Sequence, residues 1–449
     1  MSVVRGRTRT PAAPDLTWGD VEALSAALHE PSWLLERRRA AWQVYESLPM
    51  PTTRDEEWRR TDYRRIRWAE AGTLLTPLPG ADLGVIPAHH YAPLLGDRQG
   101  GLMAFVDASI AAQDIDAGVA EQGVIFTDLH TAVRQHGDLV QEYLMTQAVL
   151  PEHGKFAALH TALWTHGTFL YVPRGVAASL PLHSVFYPRS AGMTLGHILV
   201  VLEDGAEATY MHEYASPTLD QDASFVGATE MVLGTGTRLN YVALQDWGRS
   251  LYEFSHQRAR VARDASIDWV HGTMGGKLTK LFMEIELDGE GSSCRMSGLY
   301  FGDGMQVMDH DTQQNHNAPH TTSDLLFKGA LKDEARSVWQ GMIMVKPGAQ
   351  QTDGFQANRN LVLSRDARAD SIPGLEISAD DVRCTHAATV SQLDEEPLYY
   401  LMSRGIPRAE AEKLAVDGFF GPIMERIPFE GVRERLQGSI EAKLLGTAE

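Results

Sequence analysis

A mainly β fold with helical flanks is what this sequence predicts, on three observations: helical periodicity at both ends, a long central stretch of short β-rich runs, and polar turns recurring at a near-constant interval. The opening section is "TWGDVEALSAALHEPSWLLERRRAAWQVYESLPMP". There Val21, Leu24, Leu28, Leu34, Ala41, Tyr45 and Leu48 recur at three- and four-residue spacing, an apolar stripe that stops at Pro51. Further helical spacing in "LHTAVRQHGDLVQEYL" and on to about Trp164 makes residues 1–165 a mainly helical region.

From about Gly167 the texture changes to runs such as "MTLGHILVVLEDGAEATYMHEY" and "LFMEIELDGEGSSCRMSGLYF", broken at Gly and Asp. The turns in "EDGAEATY", "GTGTRLNY", "ARDASIDW" and "LDGEGSSC" fall roughly 25 to 31 residues apart, an interval suited to stacked coils. A sandwich or double barrel competes with this reading. Tight Asn-Gly hairpin turns are scarce, so a solenoid over residues 166–393 is the favoured of the two. Beyond Leu393 the spacing is helical again. Pro407 stands at a first-turn position with acids after it, and Leu414, Ala415, Phe419, Phe420, Ile423 and Met424 form one apolar side within residues 394–449. That side either folds back on the β unit or receives a partner.

Composition narrows the function. The chain has 449 residues, enough for two or three units or one elongated solenoid, and its 43% hydrophobic and 22% charged content is that of a soluble globular protein. A net charge of -19 argues against a nucleic-acid backbone as the main ligand, and the basic cluster Arg54 to Arg67 is interleaved with acids. No apolar run is long enough to span a membrane, and the leading "MSVVRGRTRTPAAPD" lacks the apolar core of a signal peptide. Two cysteines cannot form a disulfide framework at this size, and free thiols fit a reducing, cytoplasmic setting. No phosphate loop, G-x-S-x-G elbow or zinc-protease helix is present, so a non-catalytic role is expected.

The chemistry that remains is metal-ligating. In "DDVRCTHAATV", Cys384 and His386 stand two apart, so in a strand they share a face with Val382 and make half of a metal site. A four-thiolate cluster needs more cysteines than this chain has, so any cluster would recruit ligands from another chain. The plainer reading is a small buried hydrophobe beside a structural histidine. Cys294 is isolated and expected to be buried. The segment "MDHDTQQNHNAPHTTSD" carries His310, Asp311, His316 and His320, the densest set of ligand types. Pro319 and its Asn and Thr neighbours argue for strand and turn, where these residues either bind a metal or hydrogen-bond along stacked coils.

Three stretches carry a resemblance to a known family. "LLFKGALKDEARSVWQG", "AQQTDGFQANRNLVLSRDARADSIPGLEISADDVRCTHAATVSQLDEEPLYYLMSRGI" and the N-terminal "RDEEWRRTDYRRI" resemble the SufB/SufD family of iron–sulfur cluster assembly scaffold proteins. Within it the chain is closer to the SufD type. No acidic residue stands between Cys384 and His386, and the N-terminal half has no cysteine, although Ala387 occupies a position where SufD-type chains usually have Gly. The resemblance implies a right-handed parallel β-helix between an N-terminal helical region and a small C-terminal helical domain. It also implies a scaffold that pairs with SufB and with the SufC ATPase, sharing transient iron or a nascent iron–sulfur cluster with SufB. His386 would be the ligand at the SufB interface, with Cys384 at the matching cysteine position, and Phe419, Phe420 and Met424 would contact SufC. A flavin in the assembled complex and a homodimer of the isolated chain stay open. The SufB-type paralogue is the nearest alternative. A β-helix carbohydrate-active enzyme is a further one, which would want paired carboxylates along a groove and usually a secretion signal.

Overall fold

The computed structural model describes residues 13–66, 81–96 and 98–446. Residues 1–12, on which most of the leader reading rests, and Arg67, which closes the basic cluster, lie outside the described residues. In chain order the strands are β1 (Gly101–Val106), β2 (Ser109–Ile115), β3 (Ile125–Asp128), β4 (His166–Val172), β5 (Leu182–Tyr187), β6 (Met193–Leu202), β7 (Glu207–Ala215), β8 (Ala223–Leu233), β9 (Arg238–Asp246) and β10 (Leu251–Val261). They continue as β11 (Ser266–Thr273), β12 (Leu278–Leu287), β13 (Ser293–Gly302), β14 (Val307–His316), β15 (Thr322–Leu331), β16 (Arg336–Val345), β17 (Asp353–Val362), β18 (Arg368–Ile377) and β19 (Arg383–Ser391).

From β4 onward the chain alternates between two sheets, and each strand pairs in parallel with the strand two further on. One sheet runs β19-β17-β15-β13-β11-β9-β7-β5-β1-β2 and the other β18-β16-β14-β12-β10-β8-β6-β4-β3. This is a parallel β-solenoid, as the recurrent turns predict. Leu239, Ile267, Cys294, Ser323, Gly354 and Cys384 stack at a single register position, one per coil.

The turns are equivalent because one corner residue per coil adopts a left-handed conformation. Gly175, Gly205, Gly236, Asp264, Gly291, His320 and Gln351 all have φ between 57° and 73°. Each amide donates to a carbonyl one coil further on, as in Gly205 to Thr235 at 2.8 Å and Asp264 to Glu290 at 3.0 Å. For a residue with a Cβ this conformation costs about 1–2 kcal/mol, which is why Gly dominates the early coils. The stacked hydrogen bonds hold Asp264, His320 and Gln351 in it.

Among the described residues the N-terminal region is mainly helical, as expected, but it also holds three strands that the periodicity does not predict. β1 to β3 lie inside it, β1 extending one sheet in parallel with β5 and β3 closing the other against β4. β1 is buried along its whole length because the solenoid already presents β5 as its partner. No local periodicity encodes that.

Helices cover both sheets. Trp18–Ala27, Ser32–Ser47 and Lys155–Leu163 pack Leu24, Trp42, Tyr45 and Phe156 against Val226, Phe254 and Phe282 of the nine-stranded sheet. At the other end come Glu395–Ser403, Arg408–Met424 and Glu430–Leu445. The last two bury Val416, Phe420, Ile423, Leu436 and Ile440 against Val242, Leu244, Leu299 and Phe301 of the ten-stranded sheet. Among the described residues no helix is long and apolar enough to cross a membrane.

Candidate functional site

The solenoid ends in an open coil. β19 pairs only with β17 and β18 only with β16, so the outer edges of both strands present backbone groups with no strand partner among the described residues. On β19, Cys384 is in register with Gly354 and His386 with Gln356. Gly354 and Gln356 are buried while Phe355 between them is exposed. Residues in register share a face, so Cys384 and His386 both look into the space between the sheets, at the one end where no further coil covers it.

Their surroundings differ. Cys384 is half-buried and packs with Val382 beside Ile343, Val345 and Ala349. Burial pushes its thiol up, the backbone of Gly354 only partly opposing this. A Cβ on Gly354 would lie 3.3 Å from Cys384 Sγ and 3.5 Å from His316 Nε2, so the glycine keeps the space between the thiol and that imidazole open. His386 is exposed, and its ring makes no hydrogen bond or ion pair with a described residue. The rim therefore offers a free imidazole next to a thiol held in its protonated form. On the terminal strands Ile377 and Val390 leave 42% and 51% of their surface in solvent, and Phe355 of β17, in register with Thr385 on the other face, leaves 37%.

The histidine-rich stretch is dispersed rather than gathered. His310 lies buried in β14, its Nε2 2.9 Å from Thr273 Oγ1 and its ring stacked on Tyr300. His316 is held between Thr321 Oγ1 at 2.7 Å and Ser323 Oγ at 2.9 Å. Burial lowers the pKa of both rings, keeping them neutral. His320 is a left-handed corner with its side chain outside. Among the described residues no group of three or more His, Cys, Asp or Glu is arranged to hold a metal. His310 and His316 serve the hydrogen-bonding alternative through their rings, and His320 through its backbone amide, which donates to the Gln350 carbonyl oxygen. Cys294 is buried, as expected, and its thiol is pushed up to about 12 by desolvation.

Asp311 has a different task. Lys280 of β12 is fully buried, with Nζ 2.7 Å from Asp311, 3.1 Å from Asp309 and 2.6 Å from the Glu57 carbonyl oxygen. Burial opposes its charge, but the two carboxylates outweigh that and raise its pKa. The Thr61 hydroxyl donates to Asp309, and the Trp58 ring packs on Phe156 and Phe254. The "EEWRRT" segment is thus a plug docked on the nine-stranded sheet.

The apolar side of the C-terminal helices folds back on the solenoid. Phe420 is 1% exposed, and Phe419 and Met424 are half-buried beside it. The accessible apolar surface of that domain lies at Tyr399, Tyr400, Met402, Leu414 and Leu445 instead. Sequence reasoning missed the group that fastens the last helix: Arg435 Nη2 stands 2.5 Å from the buried Glu213, which also meets His90 Nδ1 at 2.8 Å and His183 Nε2 at 3.6 Å. Burial opposes ionisation of Glu213, yet Arg435 and the two histidines hold its carboxyl well below the usual range. Glu213 and Arg435 are too far apart in sequence for any spacing to join them.

Comparison with known proteins agrees with this architecture. A family model described as "SUF system FeS cluster assembly, SufBD core domain" matches residues 186–419, and one described as "SufBD protein N-terminal region" matches residues 22–183. The chain is 33% identical to the iron-sulfur cluster assembly protein SufD of Bacillus subtilis, over 94% of this chain and 97% of that protein. It is 27% identical to an iron-sulfur cluster assembly SufBD family protein of Staphylococcus epidermidis, over 92% and 90% of the two chains. A Staphylococcus aureus protein of the same description is 26% identical over the same shares.

Proposed function

The chain belongs to the SufB/SufD family of iron–sulfur cluster assembly proteins, and from that premise we propose that it is a SufD-type, non-catalytic scaffold subunit that pairs with a SufB-type chain and a SufC ATPase. The observation that carries the reading is the open terminal coil, where a free imidazole and a half-buried thiol stand between two unpaired strand edges. An unpaired edge that carries the exposed Ile377 and Val390 suits a partner that continues the sheets.

Iron or a nascent cluster is the cargo in this scheme. His386 supplies one neutral nitrogen ligand and the partner supplies thiolates, because this chain's own thiols are a buried Cys294 and a Cys384 kept protonated by burial. An imidazole releases iron more readily than a thiolate does, which favours handing the cargo on. ATP hydrolysis belongs to SufC, whose contact would fall on the exposed Tyr399, Tyr400 and Leu414 with Phe419 and Met424 at its border; Phe420 serves as the packed base beneath.

The test is anaerobic co-expression and co-purification with SufB- and SufC-type partners, followed by iron and sulfide analysis. The reading expects a ternary complex whose iron and sulfide fall when His386 is replaced by Ala while the subunits still co-purify. Recovery of this chain alone, or a His386→Ala complex with undiminished iron, would refute it.

A further inference from the structure

We propose that His89 and His90 form a chelating site for a first-row divalent transition metal of the imidazole-preferring class, zinc, nickel or copper, at the β5–β7 end of the ten-stranded sheet and far along it from β19. The two residues close the short turn Ala88–His90, and their Nε2 atoms converge to 3.1 Å. His90 is buried and its Nδ1 lies 2.8 Å from Glu213, an ionised carboxylate gripped by Arg435. That carboxylate places the ring proton on Nδ1 and leaves a lone pair on Nε2. A carboxylate behind a histidine is the usual outer partner of a metal-ligating imidazole, fixing its tautomer and raising its basicity.

The separation fits an ion. Two nitrogens each about 2.0–2.1 Å from a metal and 3.1 Å from one another subtend an angle of about 100°, between square-planar or octahedral and tetrahedral geometry. In the metal-free state His89 Nε2–H donates to His90 Nε2. Metal entry requires that the His89 proton move through solvent from Nε2 to Nδ1 and that the exposed His89 ring, whose centroid stands 4.2 Å from that of His90, turn until both lone pairs meet at the ion. No proton is gained or lost in this exchange, and the ion takes the two lone pairs.

Access is open. His89 lines a cavity of about 760 Å³ between residues 92–96 and the start of the helix Glu430–Leu445, with Glu430, Arg433 and Glu434 on its wall. Among the described residues no third His, Cys, Asp or Glu completes the set, so the remaining positions fall to water or an added ligand. The positive charge of Arg435 sits near the pair but is engaged by Glu213 and the His89 carbonyl oxygen. The inference does not depend on the scaffold reading.

Cobalt(II) is the probe, because its visible bands report coordination. The full chain, His89→Ala and His386→Ala are titrated with Co2+ and the bound ion is then competed with Zn2+. The wild type and His386→Ala should bind one Co2+ that His89→Ala binds at least about tenfold more weakly, with unchanged thermal unfolding because His89 is exposed. Equal Co2+ affinity and equal band intensity in His89→Ala and the wild type would mean that the pair is a hydrogen bond and nothing more.

Discussion

Lys280 Nζ lies 2.7 Å from Asp311 Oδ2, the lysine fully buried and the carboxylate 15% exposed, and the same ammonium holds the Glu57 carbonyl oxygen of a segment more than two hundred residues away in the chain. The pair is a bolt between the solenoid and its N-terminal plug. Removing the cation leaves the buried Asp309 carboxylate and the partly buried Asp311 carboxylate without their shared partner.

Lys280→Met should therefore destabilise the folded chain by about 3–5 kcal/mol, the range for breaking one partner of a buried ion pair. The loss should appear first as protease cleavage near Glu57 and Trp58, before the solenoid itself unfolds. Limited proteolysis with mass spectrometry reads both. Uniform cleavage along the chain would contradict the bolt.

Glu253 sets a pH dependence. It is fully buried, and desolvation raises its carboxyl to about 7 although Ser255, Trp247 and Gln245 donate to it. Between about pH 4.5 and pH 7 the folded state thus holds a proton that the unfolded state has lost, so this group makes stability fall as pH rises through that window. The full difference is about 3 kcal/mol above pH 7 and vanishes below pH 4.5. Glu253→Gln should flatten the fall in melting temperature across this range. An unchanged slope would remove Glu253 as its cause.

His386 and Cys384 should separate functionally. In the co-purified complex, His386→Ala should lower bound iron and sulfide roughly tenfold, since a first ligand is lost. Cys384→Ser should have a smaller effect on cargo and a measurable one on stability, because the half-buried thiol packs on Ile343 and Val345. Iron and sulfide assays alongside thermal melts distinguish the two.

Two glycines give opposite outcomes. A Cβ on Gly329 would stand 1.9 Å from the Tyr300 ring, so Gly329→Ala should cost about 1–3 kcal/mol by overpacking. Gly438 lies inside the helix Glu430–Leu445 with nothing within 4 Å of an added Cβ. Gly438→Ala should stabilise that helix by about 1 kcal/mol. Melting temperatures of the two variants check both signs.

Much of the architecture was legible because a solenoid repeats a local rule. The Gly and Asp turns recur since each coil needs a left-handed corner, and the pattern survives into the sequence even where Gly gives way to Asp264 or His320. The Cys384 and His386 pair was legible for a similar reason, since strand alternation alone puts them on one face. The role of His320 was not, because a histidine in "NAPHTT" resembles a ligand until the neighbouring coil shows that its amide is the working group. The strands β1 to β3 were missed because the partners that bury them come from later in the chain.

By itself, then, the sequence determined the solenoid, its helical flanks, the candidate ligand strand and the family to which the resemblance pointed. Those features depend on side-chain periodicity and turn chemistry within a few residues. Only the tertiary structure decided that β19 is an open end, that Phe420 is packed rather than presented, that Lys280 bolts down Glu57, and that Arg435 reaches Glu213. Each of these joins residues far apart in the chain, where burial and charge pairing are set by which surfaces meet, and no local pattern records that meeting.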